Sequence, residues 1–296
     1  MTNTLLVINP TSGKTEIKSF LFPLFSSLSS SLRRVEVLLL ERDVRIEDYI
    51  EGKDEIICCG GDGTLNSAIN AILKSGKEKS VRLGYIPCGS TNDFARSAGI
   101  PLDISAAIQN IATGKERKID VGIWNRERAF TYVASFGAFS NVSYSTSQDL
   151  KNSLGHFAYI LNGLTDLGNI KAIPLTIKTE NETISDEYCF GAVLNSTSMA
   201  GIVKLDKCQV DMSDGLFEVL LVKKPKTLID LNSIITAIST SSFSSPLISF
   251  FKCKNCIFEF QQEMDWSLDG EKGEGGKRVE IRNEKRKITI IVPEEK

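Results

Sequence analysis

Histidine is nearly absent from this chain of 296 residues, which contains only His156. The chain also lacks long apolar runs: none reaches the ~18 residues that a transmembrane helix needs, so we expect no membrane span. The opening residues, MTNTLLVINP, lack the basic segment and apolar stretch of a signal peptide, so we expect no such peptide. The seven cysteines are scattered and odd in number, which favours a reduced, cytosolic protein over a disulfide scaffold.

An excess of positive charge is missing as well. The 35 lysines and arginines are balanced by 37 aspartates and glutamates. The resulting net charge of −2 gives no overall attraction to nucleic acid, so we expect no nucleic-acid partner. With 42% hydrophobic and 24% charged residues, the chain can fold around ordinary apolar cores. Its length suits two domains better than one.

The first part of the chain alternates strand-like and helix-like segments. The strand-like segments are TLLVINP, VEVLLLE, EIICC and VRLGYIP, and the last two are continuous apolar runs typical of strands buried on both faces. The intervening segments are helix-like, and one of them is expected to bend or break near Pro23. Repeated βα units predict a doubly wound parallel sheet, and we assign residues 1–122 to an α/β domain of this kind.

The pattern changes after residue 122. Several strand-like segments follow, joined by polar turns, with TENET and NEKRK as candidate hairpin connections. Two helical stretches interrupt them, LGHFAYILNGLTDLG and TLIDLNSIITAIST. We therefore predict a mainly antiparallel, β-sandwich-like second domain over residues 123–296, whose last strand can return to the first domain.

Three loops follow strands of the predicted parallel sheet, at the edge where such sheets bind ligands. The first loop is NPTSGK (Asn9–Lys14), which is not a P-loop because Ile8 stands where that motif needs its first glycine. The second is GGDGT (Gly60–Thr64), and the third lies in PCGSTNDFARS (Pro87–Ser97). The second and third loops each combine glycine, hydroxyl groups and an aspartate at the start of a helix.

The aspartate in GGDGT has two interpretations. The glycines permit positive φ angles and close backbone approach, and the start of the next helix offers N–H groups to a phosphate. Asp62 would repel that phosphate unless a divalent cation lay between them, so its presence indicates bound magnesium. The alternative is a plain strand–turn–helix connection in which Asp62 caps the helix. The repeat of the same design around Asp93 favours the first interpretation.

The three loops resemble the nucleotide-binding signatures of the diacylglycerol kinase catalytic-domain family, which includes bacterial lipid kinases, sphingosine kinases and ceramide kinases. The resemblance continues through KID before Val121, DMSDGLFEVLLV and SLDGE, in the order found in the family. GGDGT alone is less specific because NAD kinases share it, whereas NDFAR followed by DGE is much more specific. Ser90–Thr91 is a mild departure from many relatives, since both hydroxyl groups can still face a phosphate.

The resemblance implies roles for particular residues. The nucleotide-binding residues would be Asn9, Pro10, Thr11, Ser12, Gly13, Arg42, Gly60, Gly61, Asp62, Gly63, Thr64, Leu65, Asn66 and Ser90. The catalytic magnesium network would contain Asp62, Asp93 and Asp120. A structural magnesium ion would be bound by Asp211, Asp214 and Leu216. Glu271 would accept the proton of the substrate hydroxyl, and Asp269 is the substitute candidate for that role.

Three of these roles have plain structural alternatives. Asp120 can equally be a solvated acid at the end of a strand, and the Asp-Gly sequence at 214–215 can equally form an ordinary hairpin turn. Arg42 follows the second strand only in a loose alignment with the family, and it can equally be a surface residue.

The resemblance implies an ATP- and magnesium-dependent lipid kinase that transfers the γ-phosphoryl group to a lipid hydroxyl, with diacylglycerol as the first candidate acceptor. Such an enzyme would work in the cytoplasm, in transient contact with the inner face of the membrane, either alone or as a homodimer. Two alternatives stay open: an NAD kinase-like phosphotransferase, and a non-catalytic nucleotide or lipid sensor built on the kinase fold.

Overall fold

The computed structural model describes residues 1–12, 18–30, 33–137, 170–199, 203–205 and 210–294. The chain divides into two compact units, Met1–Val121 with Lys285–Lys296, and Gly122–Glu284. Gly13, His156 and the helix predicted within LGHFAYILNGLTDLG lie outside the described residues. The mixed α/β fold class predicted from the sequence is confirmed.

The first unit contains alternating strands and helices. Its strands are β1 (Thr2–Ile8), β2 (Arg33–Leu39), β3 (Glu55–Gly60), β4 (Arg82–Pro87) and most of β5 (Lys115–Trp124). Its helices are α1 (Lys18–Ser30), α2 (Asp62–Lys74), α3 (Asp93–Ala98) and α4 (Ile104–Thr113), with a 3-10 turn at Ile46–Tyr49.

The strands β1 to β4 of this unit pair in parallel. β1 lies between β2 and β3, and β3 also pairs with β4. Every residue of β3 is buried, as its apolar sequence predicts. Because parallel strands end at the same edge of a sheet, the residues that follow β1, β3 and β4 meet at one edge. Asn9, Gly61 and Cys88 begin these three connections.

Helix α1 continues through Pro23, where the sequence predicted a bend or a break. A proline inside a helix costs about 3 kcal/mol. The helix buries Phe20, Leu24 and Leu28 on one stripe, against Leu6 of the sheet. Burial of each such side chain contributes roughly 1.5–3 kcal/mol, so this stripe outweighs the cost of the proline.

The second unit is built mainly from antiparallel strands. Its first strands are β6 (Arg128–Phe130), β7 (Val133–Gly137), β8 (Ile173–Thr179), β9 (Thr183–Tyr188), β10 (Phe190–Leu194), β11 (Ser198–Met199) and β12 (Val203–Lys204). These are followed by β13 (Phe217–Val222), helix α5 (Leu228–Ser239), β14 (Ile248–Cys253), β15 (Asn255–Leu268) and β16 (Glu271–Val292).

The strand order in the second unit is β14-β13-β10-β7-β15-β16, and the hairpin β8–β9 pairs with β15 through β8. The inward side chains form an aromatic core in which Phe136 contacts Phe258, Phe260 and Trp266, with ring centroids 5.9, 5.1 and 4.7 Å away. This core fixes the strands that carry Asp269 and Glu271.

The hairpin predicted at NEKRK is wrong, because β16 runs without interruption from Glu271 to Val292. The strand changes partners instead: Glu271–Arg282 pairs with β15 in antiparallel fashion, and Thr289–Ile290 pairs with β4 in parallel fashion. Arg286 has a positive φ of 50°, which marks the local bend. The polar residues of NEKRK are typical of a turn. Pairing of β16 with strands distant in sequence keeps this segment extended instead.

The described helices include none that is both long enough and apolar enough to cross a membrane.

Candidate active site

Asn9 holds the first loop against the second. Its backbone N–H donates to the Cys59 carbonyl at 3.0 Å, and its side-chain amide donates to the Thr64 hydroxyl at 3.0 Å. Its side-chain oxygen accepts hydrogen bonds from the backbone N–H and the hydroxyl of Thr11, at 3.1 and 2.9 Å. One asparagine therefore fixes both the shape of the first loop and its position beside the start of α2.

The glycines of the second and third loops allow the backbones to touch. A β-carbon on Gly60 would lie 2.4 Å from the Thr64 hydroxyl oxygen, and one on Gly89 would lie 2.7 Å from the Gly61 α-carbon. Neither Gly60, Gly61 nor Gly63 has a positive φ angle, contrary to one reason for expecting glycine there. Close approach accounts for glycine at positions 60 and 61.

Asp62 ties the second loop to the third. It is the first residue of α2 and is 8% exposed. Its carboxylate accepts hydrogen bonds from the backbone N–H groups of Asp93 and Phe94, at 3.1 and 3.3 Å. Asp62 therefore caps α3, the helix that follows the next strand, while Gly61 takes the N-cap position of α2 without a side-chain bond. The alternative that Asp62 caps α2 is therefore wrong, because its carboxylate bonds to the start of α3 instead.

Asn92 closes the third loop. It adopts the left-handed conformation, with φ 52° and ψ 47°, which asparagine tolerates better than most residues. Its side chain accepts a hydrogen bond from Gly89 N–H at 3.0 Å and donates one to the Gly89 carbonyl at 2.8 Å. These two bonds set the distance between Gly89 and the start of α3, where Asp93 is 1% exposed.

The structure thus brings together most of the residues predicted in the three loops of the first unit. Ser12 lies close to Gly61, because a β-carbon added to Gly61 would be 3.4 Å from the Ser12 hydroxyl oxygen. Leu65 is fully buried and contributes to the core, and Asn66 is 5% exposed and accepts a hydrogen bond from the Asn70 side chain at 2.9 Å. Pro10, Thr11, Gly63 and Ser90 lie along the same three loops.

Two predicted residues of the first unit have other surroundings. Arg42 is exposed in the turn after β2. Asp120 is completely buried in β5, so the solvated-acid alternative is wrong. Its carboxylate accepts a hydrogen bond from Arg286 N–H at 2.7 Å, at the bend of β16.

Asp269 organises the backbone of the second unit. Its carboxylate accepts hydrogen bonds from the N–H and hydroxyl of Thr131 at 2.6 and 2.7 Å, and from the N–H groups of Tyr132 and Val133 at 3.0 Å each. Burial raises the pKa of Asp269 above its ordinary value, and these hydrogen bonds oppose the rise. A carboxylate so fully engaged is suited to holding three successive residues rather than to accepting a substrate proton.

Glu271 lies two residues further along, in a different environment. Its side chain is 55% exposed and forms an ion pair with Arg128. Asp269 and Gly270 between the strands both have positive φ angles, 50° and 83°, which form the tight turn that presents Glu271 at the start of β16. Of the two predicted carboxylates, Glu271 is therefore the one that solvent can reach.

The Asp-Gly turn predicted to bind structural magnesium is closed by its own hydrogen bonds. Asp211 accepts from the N–H and hydroxyl of Ser213 at 3.0 and 2.7 Å, and Asp214 accepts from Leu216 N–H at 2.8 Å. The Lys252 ammonium group lies 3.6 Å from Asp214 and supplies positive charge. The contacts of the described residues are thus those of a self-sufficient turn, and magnesium here stays a prediction.

The carboxylates of the first unit determine how a metal ion could be held there. Within the described ranges, no three histidine, cysteine, aspartate or glutamate side chains are grouped to hold a metal ion. Magnesium in phosphoryl-transfer enzymes is usually held by one or two protein carboxylates together with substrate phosphates. A carboxylate has about four lone-pair sites, so capping α3 and binding a cation are compatible for Asp62. The donor set fits magnesium that arrives with a nucleotide.

The cysteines beside the loops are unreactive in this structure. Burial raises the pKa of Cys58 to about 12 and that of Cys88 to about 11. Both thiols therefore stay protonated at neutral pH and act as small apolar side chains.

Sequence reasoning missed several residues that shape these sites. Gly89 and Asn92 belong to the third loop. Their positions shortly before Asp93 could have indicated that they shape the start of α3. The hydroxyl of Tyr85 in β4 lies 3.4 Å from Asn92 Oδ1. The sequence provided no signal for this contact, because a tyrosine in an apolar strand is expected to be an ordinary core residue. Arg128, the partner of Glu271, is distant from it in sequence and could not have been found from a local pattern.

Comparison with known proteins agrees with this geometry. Residues 3–124 match the family model described as the diacylglycerol kinase catalytic domain. A diacylglycerol kinase of Staphylococcus haemolyticus (strain JCSC1435) is 33% identical over 300 residues, covering 98% of this chain and 88% of the relative. A diacylglycerol kinase of Staphylococcus aureus (strain bovine RF122 / ET3-1) is 32% identical over 294 residues, covering 97% and 91%.

Solved structures share the fold. A crystal structure of a diacylglycerol kinase from Bacillus anthracis str. Sterne aligns with a TM-score of 0.77 at 21% identity, covering 99% of this chain and 97% of that one. A second crystal structure from the same organism aligns with a TM-score of 0.83 at 24% identity and the same coverage. The chain belongs to the diacylglycerol kinase family, and it is a kinase.

Proposed function

We propose that this kinase is an ATP- and magnesium-dependent lipid kinase that transfers the γ-phosphoryl group of ATP to a lipid hydroxyl, converting diacylglycerol to phosphatidic acid. The observation that carries the proposal is the meeting of three loops at the carboxyl edge of the parallel sheet, beside the N-terminus of α2. Contact between the Gly61 and Gly89 backbones leaves no room for a side chain there, which supports a site built from backbone groups.

The first unit would bind the nucleotide. The N-terminus of α2, a helix of 13 residues, provides N–H groups and the positive end of a helix dipole for phosphate oxygens. Asn9 keeps the first loop in place beside Thr64, so the hydroxyl groups of Thr11 and Ser12 are positioned at the same edge. Asp62 and Asp93 would hold magnesium, which neutralises phosphate charge when it is bound.

The second unit would bind the lipid and supply the base. Glu271 would accept the proton of the acceptor hydroxyl, since its carboxylate is exposed while that of Asp269 is fully occupied. Arg128 pairs with Glu271 and would hold it in position until the substrate arrives. Asp269 would act by fixing the backbone from Thr131 to Val133, and not by touching substrate.

Transient contact with an anionic membrane would deliver the lipid. Leu228 and Ile229, at the first turn of α5, are 68% and 80% exposed. Lys224 and Lys226 precede them in the sequence, and basic residues near an anionic bilayer contribute about 1 kcal/mol each. This combination of exposed apolar and basic side chains fits the interface of a bilayer. Cytoplasmic location and homodimer formation remain predictions from the sequence.

An acceptor panel tests the proposal. The purified protein is incubated with magnesium-ATP and, separately, with diacylglycerol, phosphatidylglycerol, undecaprenol, a sphingoid base and NAD, and each product is identified by mass spectrometry. A phosphorylated diacylglycerol is the expected result. The matched controls are Glu271→Gln, which should abolish it, and Glu259→Gln, which removes another paired surface carboxylate and should not.

Phosphorylated NAD instead of a lipid would establish the NAD kinase alternative. Nucleotide binding without any phosphorylated acceptor would favour the sensor alternative and would contradict the assignment of Glu271 as a base.

A further inference from the structure

Tyr85 lies where the second and third loops meet, and the functional assignment above gives it no role. It belongs to β4 and is completely buried. Its ring packs edge-on against Phe94 of α3, with centroids 6.3 Å apart and planes at 69°. Its hydroxyl group lies 3.4 Å from Asn92 Oδ1, inside the protein.

The two partners of this hydroxyl are the residues that join the loops. Asn92 sets the distance between Gly89 and the start of α3 through its two hydrogen bonds to Gly89. Asp62 caps α3 through two more. Burial raises the pKa of Tyr85 well above its ordinary value, and the nearby Asp62 carboxylate adds to the rise through its charge and a hydrogen bond. The single hydroxyl proton of Tyr85 lies between two acceptors, the Asp62 carboxylate and Asn92 Oδ1, and can be shared between them.

We propose that Tyr85 is a positioning residue for the nucleotide phosphates, because its buried hydroxyl holds Asn92 and Asp62 in register across the gap between the second and third loops. The inference rests on the proposed function, since it assumes that phosphates bind at this edge. A buried hydroxyl normally requires a hydrogen-bond partner, whereas phenylalanine, which has no such requirement, would serve for packing alone. Loops fixed before the nucleotide arrives lose less freedom on binding it, so the hydroxyl strengthens binding without touching the ligand.

The test is Tyr85→Phe, which keeps the ring and removes only the hydroxyl. Tyr188→Phe is the matched control, because Tyr188 is 1% exposed in the second unit and its hydroxyl is within 3.4 Å of Ser249. Calorimetry measures the Kd of magnesium-ATP, and thermal unfolding measures the stability of each protein without nucleotide. The loss of one hydrogen bond corresponds to a change of about 2- to 10-fold in an equilibrium constant such as the Kd.

We expect Tyr85→Phe to raise the Kd of magnesium-ATP by about 2- to 10-fold, while Tyr188→Phe leaves it unchanged and both variants lose similar thermal stability. The KM for ATP should rise with the Kd, and the KM for lipid should not change. A double-mutant cycle with Asn92→Gly, which keeps the positive φ angle and removes the partner, should show that Tyr85→Phe raises the Kd less in that background than in the wild type.

An unchanged Kd in folded Tyr85→Phe, with wild-type protein binding ATP, would overturn this inference alone. A wild-type protein that does not bind ATP at all would refute the proposed function and this inference with it.

Discussion

Asp269 and Glu271 are two residues apart, but we predict that their substitution has opposite consequences. Asp269→Asn replaces one carboxylate oxygen by an NH₂ group. Each oxygen of Asp269 accepts two hydrogen bonds, so the substitution breaks two of the four and places a donor against N–H or O–H groups. Hydrogen bonds to a charged group contribute about 1.5–3 kcal/mol each.

Part of that loss is recovered, because burial already penalises the charged carboxylate and the Thr131 hydroxyl can rotate to accept a hydrogen bond. We therefore expect Asp269→Asn to lower the free energy of unfolding by about 3 kcal/mol. Glu271→Gln removes one exposed ion pair, which contributes less than about 1 kcal/mol, and should leave stability nearly unchanged while abolishing activity.

Urea unfolding of the wild type and both variants, followed by circular dichroism, measures the stabilities, and phosphoryl transfer is measured on the same samples. The reasoning is refuted if Asp269→Asn is as stable as the wild type and inactive, since Asp269 would then act in the chemistry. It is equally refuted if Glu271→Gln retains full activity.

Three further predictions concern other parts of the molecule. Gly89→Ala places a methyl group 2.7 Å from the Gly61 α-carbon, so the loops must separate and the Kd of magnesium-ATP should rise at least 10-fold by calorimetry, an order-of-magnitude expectation. Burial raises the pKa of Glu218 to about 7 from an ordinary 4.5, so the folded state binds more protons between these values and stability should fall as pH rises from 4.5 to 7. The total fall is roughly 3 kcal/mol, and urea unfolding without divalent cations should show that Glu218→Gln removes it. Replacing Leu228 and Ile229 together by serine should weaken binding to anionic vesicles in sedimentation assays, and equal binding by wild type and variant would contradict the membrane contact.

The sequence predicted the parts of the fold that depend on local pattern. The apolar run at β3, the glycines after it and the helix that starts at Asp62 are adjacent in sequence, and the structure has them as expected. Parallel pairing then dictates that the loops after β1, β3 and β4 share one edge. The gathering of the predicted loop residues follows from these two facts.

The chemical environment of each carboxylate could not be predicted in this way. Asp62 bonds to the start of a helix 31 residues later, and Asp269 bonds to residues 136–138 positions earlier. No local pattern encodes such partners, so Asp62 was assigned to nucleotide and metal binding, with a cap of its own helix as the alternative, and Asp269 to a substitute catalytic role. The hairpin predicted at NEKRK was wrong for a related reason. The polar composition of this segment is that of a turn, but its strand partners keep it extended.

The central claim is tested most directly by transfer of label from γ-labelled ATP to diacylglycerol in mixed micelles, measured with and without magnesium. The account predicts a labelled phosphatidic acid that disappears when magnesium is chelated and when Glu271 is replaced by Gln. A labelled lipid that persists in the Glu271→Gln variant, or no labelled lipid from a wild type that binds ATP, would contradict it.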